Sequence, residues 1–281
     1  MKNILVPTDF STEAAYALKV AVALAQPTKA KICLMHVIQS LYESAYAASA
    51  DLPDEGWKRL EDRIEKAEEQ LQEVIKEQQV QSADITPYVK VGSVFEEVPP
   101  IIARSDADLI ILGTKGDSGW HELLVGSQAE KVVRYAHCPV LTVPRSIENF
   151  GLRDVVLATT FDDREKPLLD LLSQWQPVFG FTLHLVYVNT PLNYTSTAKI
   201  EARRAKFLDR HILSDYTTAI VDDYSEREGL QYYSTKIKAD LVAMLTHGRD
   251  GLAHFLDGSI TEDAVNHLPI PVLTYNIHAN E

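Results

Sequence analysis

An internal repeat constrains this chain more than any other feature. Ile4-Leu5-Val6-Pro7-Thr8-Asp9-Phe10 is echoed by Val155-Val156-Leu157-Ala158-Thr159-Thr160-Phe161, and Leu34-Met35-His36-Val37 by Leu185-Val186-Tyr187-Val188. Further on, Asp108-Leu109-Ile110-Ile111-Leu112 returns as Asp240-Leu241-Val242-Ala243-Met244, and Cys138-Pro139-Val140-Leu141-Thr142 as Ile270-Pro271-Val272-Leu273-Thr274. The last two echoes share one offset, 240 − 108 = 132 and 272 − 140 = 132, which chance rarely maintains. The 281 residues are therefore read as a duplicated domain, residues 1–145 and 151–281, joined by a short linker near 145–152. Whatever fold the chain adopts must be buildable twice from about half its length.

Within the first half, short apolar runs of strand length (Ile4–Val6, Ile32–Val37, Ile85–Val91, Leu109–Leu112, Val140–Val143) alternate with helical patterns near 13–25, 55–79, 94–104 and 127–136. Continuous apolar strands alternating with helices predict a parallel sheet covered on both faces. The fold class is thus α/β, two tandem doubly wound open sheets of about five strands each. The helix near 55–79 is the clearest, with Trp57, Leu60, Ile64, Ala67, Leu71 and Val74 at steps of three and four and acidic residues opposite. Pro99-Pro100 falls inside the third helical pattern, so that helix must begin, break or kink there. Residues 40–54 have weak periodicity and read as an excursion after the second strand.

Charge excludes one class of partner. The net charge is −13, and it divides evenly, 15 − 21 = −6 over 1–145 and 12 − 19 = −7 over 146–281. Neither half has the basic surplus that phosphate-backbone binding needs, so nucleic acid is not an expected partner. No apolar run approaches a membrane span and the N-terminus leads directly into a strand, so a cytoplasmic location without a membrane partner is expected. The two cysteines, Cys33 and Cys138, form no metal spacing, and Cys33 reads as a buried free thiol.

The chemistry gathers after the fourth strand. Gly113-Thr114-Lys115-Gly116 is followed by nine residues and then Gly126-Ser127. Two glycines three apart after a buried strand permit a tight turn and a close backbone approach to a ligand. Ser127 with Glu130 makes a capping box, which places a helix N-terminus where unpaired N–H groups and the positive dipole end favour phosphate. Spacing, preceding strand and capped helix together predict polyphosphate held between two glycine turns.

With these residues, the chain resembles the universal stress protein family, whose ATP-binding members carry Gly, two residues, Gly, nine residues and Gly-Ser/Thr. The opening Ile-Leu-Val-Pro-Thr-Asp-Phe-Ser and the domain ending His-Cys-Pro-Val-Leu-Thr-Val-Pro are similar too, and the likeness covers nearly the whole chain as two copies. The resemblance implies a Rossmann-like fold of the adenine nucleotide alpha hydrolase type. It also implies a cofactor, ATP or a related adenine nucleotide with or without Mg, held in the N-terminal domain. The cofactor-binding residues it implies are Pro7, Thr8, Asp9, Val37, Gly113, Lys115, Gly116, Gly126 and Ser127. Asp9 would accept from the ribose or adenine, with Pro7 and Thr8 shaping that wall and Val37, just past the second strand, meeting the adenine edge through its backbone. Asp9 as a helix-start residue remains an alternative, although Ser11 or Thr12 can cap that helix instead. Lys115 either contacts phosphate or points to water. His36, at a strand end, reads as structural.

The second copy keeps Gly248, Gly258 and Ser259 but has Leu245 for the first glycine and Thr160 for the acidic residue, so its site is expected to be weak, altered or empty. His247, Arg249 and Asp250 beside it read either as another anion site or as a polar loop. The function expected is a nucleotide-binding stress-response regulator that switches conformation. A slow ATPase and a self-association scaffold are the alternatives. No Walker-type Gly-Lys-Ser/Thr and no paired carboxylates for two metals are evident, so little or no turnover is expected. The two domains are expected to pair through their last strands, Val140–Val143 and Val272–Tyr275, with further homo-oligomers open.

Overall fold

A computed structural model of the chain describes residues 1–38, 54–78, 83–92, 107–114, 136–144, 147, 150–246 and 268–276. The described residues divide into two compact units, those up to 147 in the first and those from 150 onward in the second.

In the first unit, β1 (Asn3–Thr8), β2 (Lys31–Ile38), β3 (Asp84–Val91), β4 (Leu109–Gly113) and β5 (Val140–Val143) form an all-parallel sheet in the order β3-β2-β1-β4-β5. Helix α1 (Thr12–Thr28) follows β1 and α2 (Asp54–Glu77) follows β2. Ile4, Leu5, Val6, Leu109, Ile110, Ile111, Val140 and Leu141 are all buried. The runs are continuous because a parallel sheet with helices on both faces leaves no wet side. Burying each such side chain contributes about 1.5–3 kcal/mol. The outermost strand, β3, instead alternates exposed and half-buried residues and tolerates Pro87, as an edge can.

Ser11 caps α1, accepting from the N–H of Ala14 at 3.2 Å. Leu60, Ala67 and Leu71 of α2 are buried and Ile64 and Val74 half-buried, but Trp57, expected in the same stripe, is 37% exposed. It lies in the first turn of α2, at the margin of the packed face. The helices expected at 94–104 and 127–136, Pro99-Pro100 and the excursion at 40–54 lie almost wholly outside the described residues.

The second unit repeats the plan. Strands β6 (Asp154–Ala158), β7 (Thr182–Asn189), β8 (Tyr216–Asp222), β9 (Leu241–Thr246) and β10 (Val272–Asn276) are ordered β8-β7-β6-β9-β10. Helices α3 (Lys166–Phe179), α4 (Thr197–Arg210) and α5 (Glu226–Ile237) follow β6, β7 and β8. Even the pins agree: Asp108 Oδ2 accepts from the N–H of Lys2 and of Asn3, the latter at 3.0 Å. Asp240 Oδ2 accepts in the same way from Arg153 at 2.8 Å and Asp154 at 3.1 Å. Among the described residues no helix is long and apolar enough to cross a membrane.

Candidate functional site

In each unit the strand order reverses direction beside the first strand, between β1 and β4 and between β6 and β9, and open α/β sheets bind ligands at the carboxyl ends of such strands. β1 pairs with β4 at Ile4 and Leu5, before Pro7 and Thr8 are reached. Pro7, with no N–H to donate, sits beyond that pairing and costs the ladder nothing on the β4 side.

From Thr8 the backbone turns sharply. Phe10 takes a left-handed φ of 64°, which a bulky side chain seldom adopts. Two contacts hold it there: the Phe10 N–H donates to Thr8 Oγ1 at 3.1 Å, and its ring lies 4.5 Å from that of His36. His36 is fixed in turn, its Nδ1 donating to the Thr8 carbonyl at 2.8 Å. Because that carbonyl can only accept, the proton sits on Nδ1. Asp9 projects from this turn and is exposed, and its Oδ1 accepts from the Ser11 N–H at 3.0 Å. Ser11 rather than Asp9 caps α1, and among the described residues Oδ2 of Asp9 has no hydrogen-bond partner.

Gly113 closes β4, and a Cβ there would stand 2.3 Å from the carbonyl oxygen of Glu13 and 2.8 Å from the N–H nitrogen of Ala14. The first turn of α1 therefore rests on Gly113. The close approach expected at this glycine is made, among the described residues, by the start of a helix. Thr114, next along, donates both its N–H, at 2.9 Å, and its hydroxyl, at 3.3 Å, to the Val143 carbonyl. Val37, expected just past the second strand, is placed within it. It lies inside β2, in register with Lys90, and its side chain is buried with Leu5, Met35, Ile110 and Val140. Lys115, Gly116, Gly126 and Ser127 lie outside the described residues, as do His247, Gly248, Arg249, Asp250, Gly258 and Ser259. The structure thus brings Pro7, Thr8, Asp9 and Gly113 to one end of the sheet.

The second crevice has the same turn and a different filling. Phe161 repeats the left-handed φ at 58°, its N–H donates to Thr159 Oγ1 at 2.8 Å, and its ring stacks on Tyr187. Thr160 stands where Asp9 stood, and a carboxylate arrives from elsewhere. Glu165, 4% exposed, accepts from the Thr159 hydroxyl, from the Thr160 N–H at 2.7 Å and from the Thr160 hydroxyl at 3.0 Å. Burial pushes its carboxyl above the usual range, against the lowering effect of those hydrogen bonds. Glu165 ends a 3-10 turn, Asp163–Glu165, that has no counterpart before α1. That inserted turn was the sequence signal for Glu165, visible as a mismatch in length between the two strand-to-helix joints. Thr246 Oγ1, at the end of β9, is buried without a hydrogen-bond partner among the described residues, unlike its counterpart Thr114.

The thiols take no part in this. Burial raises the pKa of Cys33, and burial with the nearby Asp108 charge pushes Cys138 up to about 12. Cys33 is half-buried rather than fully buried as expected. Among the described residues no cluster of His, Cys, Asp and Glu could hold a metal ion.

Comparison with known proteins places this geometry. The universal stress protein family matches residues 1–144 and again 152–276. A universal stress protein of Methanocaldococcus jannaschii is 32% identical over 146 residues, 51% of this chain and 82% of that protein. One from Staphylococcus epidermidis, named as putative, is 34% identical over 143 residues, 50% and 83% of the two chains. Among solved structures, a universal stress protein from Archaeoglobus fulgidus superposes with a TM-score of 0.72 at 19% identity, covering 98% of each chain, a likeness of fold.

Proposed function

Because the chain belongs to the universal stress protein family, twice over, we propose that its first unit binds an adenine nucleotide and that occupancy biases the conformation of a stress-response regulator. The observation that carries this reading is the unequal pair of crevices. One presents an exposed carboxylate, Asp9, on a hydrogen-bonded turn at the reversal point of the sheet. The other holds a carboxylate already saturated by its own neighbours.

Asp9 Oδ2 is the acceptor for a ribose hydroxyl, with Pro7 and Thr8 as the wall behind it. The phosphates are assigned to Lys115, Gly116, Gly126 and Ser127 on the strength of their spacing in the sequence. Val37 is assigned through its backbone only, and Gly113 indirectly, through the helix it seats. Magnesium, where present, would arrive with the phosphates. Binding shifts a conformational equilibrium only so far as the ligand prefers one state, so the regulator reading requires unequal affinity for two states.

Calorimetric titration of the full chain with ATP tests the proposal. One nucleotide per chain is expected, with Asp9→Asn weakening it by about tenfold to a hundredfold, the worth of a hydrogen bond to a charged group. No heat of binding, or two equal sites, would overturn it. Phosphate release at about 1 per second or faster would promote the enzyme reading instead.

A further inference from the structure

At the opposite end of the second sheet, three side chains on adjacent strands form a hydrogen-bonded row. Asp154 opens β6, His184 lies in β7 and Thr217 lies in β8, where it is in register with His184. His184 Nε2 is 3.0 Å from Asp154 Oδ1, and Nδ1 is 2.7 Å from Thr217 Oγ1. The ring is buried, 8% exposed, and meets the Tyr233 ring of α5 edge-on. Thr217, by contrast, is exposed, and β8 is the outermost strand of its unit.

Elementary chemistry orients the row. A carboxylate only accepts, so with neutral imidazole Nε2 carries the proton toward Asp154. Nδ1 is then a lone pair, and the Thr217 hydroxyl donates to it. A buried base, held in one tautomer by a carboxylate and aimed at an exposed hydroxyl, is the arrangement that activates an oxygen nucleophile. Packing does not require it, because an exposed hydroxyl has water as a partner. The first copy shows as much: Asn3, Cys33 and Thr86 occupy the corresponding places and include no imidazole base. An edge strand also leaves backbone N–H groups unpaired, available to a developing oxyanion beside Thr217.

We propose that Thr217 is an acyl-accepting nucleophile with His184 as its base and Asp154 as the positioning residue, acting on small activated acyl esters. In the step, Thr217 Oγ adds to the ester carbonyl carbon while its proton passes to His184 Nδ1. The tetrahedral adduct collapses by breaking the bond to the leaving oxygen, which takes that proton from Nδ1 and departs as the alcohol or phenol. Water then hydrolyses the threonyl ester by the same route, releasing the carboxylic acid and restoring the hydroxyl.

The full chain treated with p-nitrophenyl acetate provides the test, read by p-nitrophenol release and by peptide mass mapping. An acetyl group on Thr217 is expected in the wild type and in Thr217→Ser, and none at that position in Thr217→Val. His184→Gln should slow acylation by about a hundredfold or more, the contribution of a general base. Asp154→Asn should lower the maximal acylation rate while leaving the half-saturating ester concentration unchanged, a split that a merely structural strap would not produce. Acylation of lysines alone, or of Thr217 at equal rates with and without His184, would overturn the proposal, as would p-nitrophenol release that Thr217→Val leaves unchanged. Should His184→Gln fail to fold by circular dichroism, the Thr217→Ser and Thr217→Val pair still decides.

Discussion

In the first unit the chain passes from its first strand to its first helix in four positions, Thr8 to Thr12; in the second it takes eight, Ala158 to Lys166. One residue across the sheet differs in step with it. Gly113 lets the first turn of α1 settle onto β4, whereas Leu245 at the matching place carries a side chain that this close seat cannot admit. The second helix starts later, and the intervening 3-10 turn brings Glu165 back over Thr159 and Thr160. Much else is held constant, down to the left-handed phenylalanine and the aspartate pinning the strand starts. A duplicated fold can thus keep its frame while one glycine changes where a helix begins.

The largest effect expected from breaking this comparison is at that glycine. Gly113→Val places atoms well inside the contact distance of the α1 backbone, and overpacking of this kind costs about 3 kcal/mol where the backbone must move. Leu245→Ala removes a half-buried side chain and should cost about 1 kcal/mol. Hydrogen exchange of β1 and β6 peptides separates the two, since a chain of two units need not unfold in one step. Equal losses would show that α1 does not depend on the glycine.

The repeat, strand runs and helix periodicity were legible in the sequence because burial on both faces of a parallel sheet forces continuous apolar runs. Asp9 beyond the end of β1 and the cap at Ser11 were legible for the same local reason. The role of Glu13 and Ala14 in demanding Gly113 was not, because it joins residues about a hundred positions apart. Val37 was misplaced because strand ends rest on pairing, here with Lys90, which local composition does not encode. The Asp154–His184–Thr217 row was invisible for a like reason: strand pairing brings the three together, and spacing along the chain carries no trace of it.

A smaller effect tests how alike the two frames are. Asp108→Ala and Asp240→Ala each remove the acceptor of two backbone N–H groups near the surface, where water replaces part of the loss. Each should cost about 1 kcal/mol, and the two should agree within about 0.5 kcal/mol. Urea titrations monitored separately in each unit by hydrogen exchange check this. A cost in one unit alone would mean that the pins are equal in geometry and unequal in load.

The smallest effect concerns Glu165, and its sign follows from burial. Its carboxyl is held above the ordinary value of 4.5, chiefly by burial, with the donors on Thr159 and Thr160 opposing. The folded state therefore binds this proton more tightly than the unfolded state does. The stability contributed by Glu165 is fully present below pH 4.5 and is lost as pH rises through the folded value. One proton limits the slope to about 1.4 kcal/mol per pH unit. Glu165→Gln cannot ionise and keeps an oxygen to accept from Thr160, so in this variant the decline in stability above pH 4.5 should flatten for the second unit while the first is unchanged. Denaturation series between pH 4.5 and about pH 7, followed in β6 and β1 peptides, measure the difference. A slope that survives in Glu165→Gln would place the titrating group elsewhere. The second crevice would then differ from the first in shape alone, and not through a buried acid of its own.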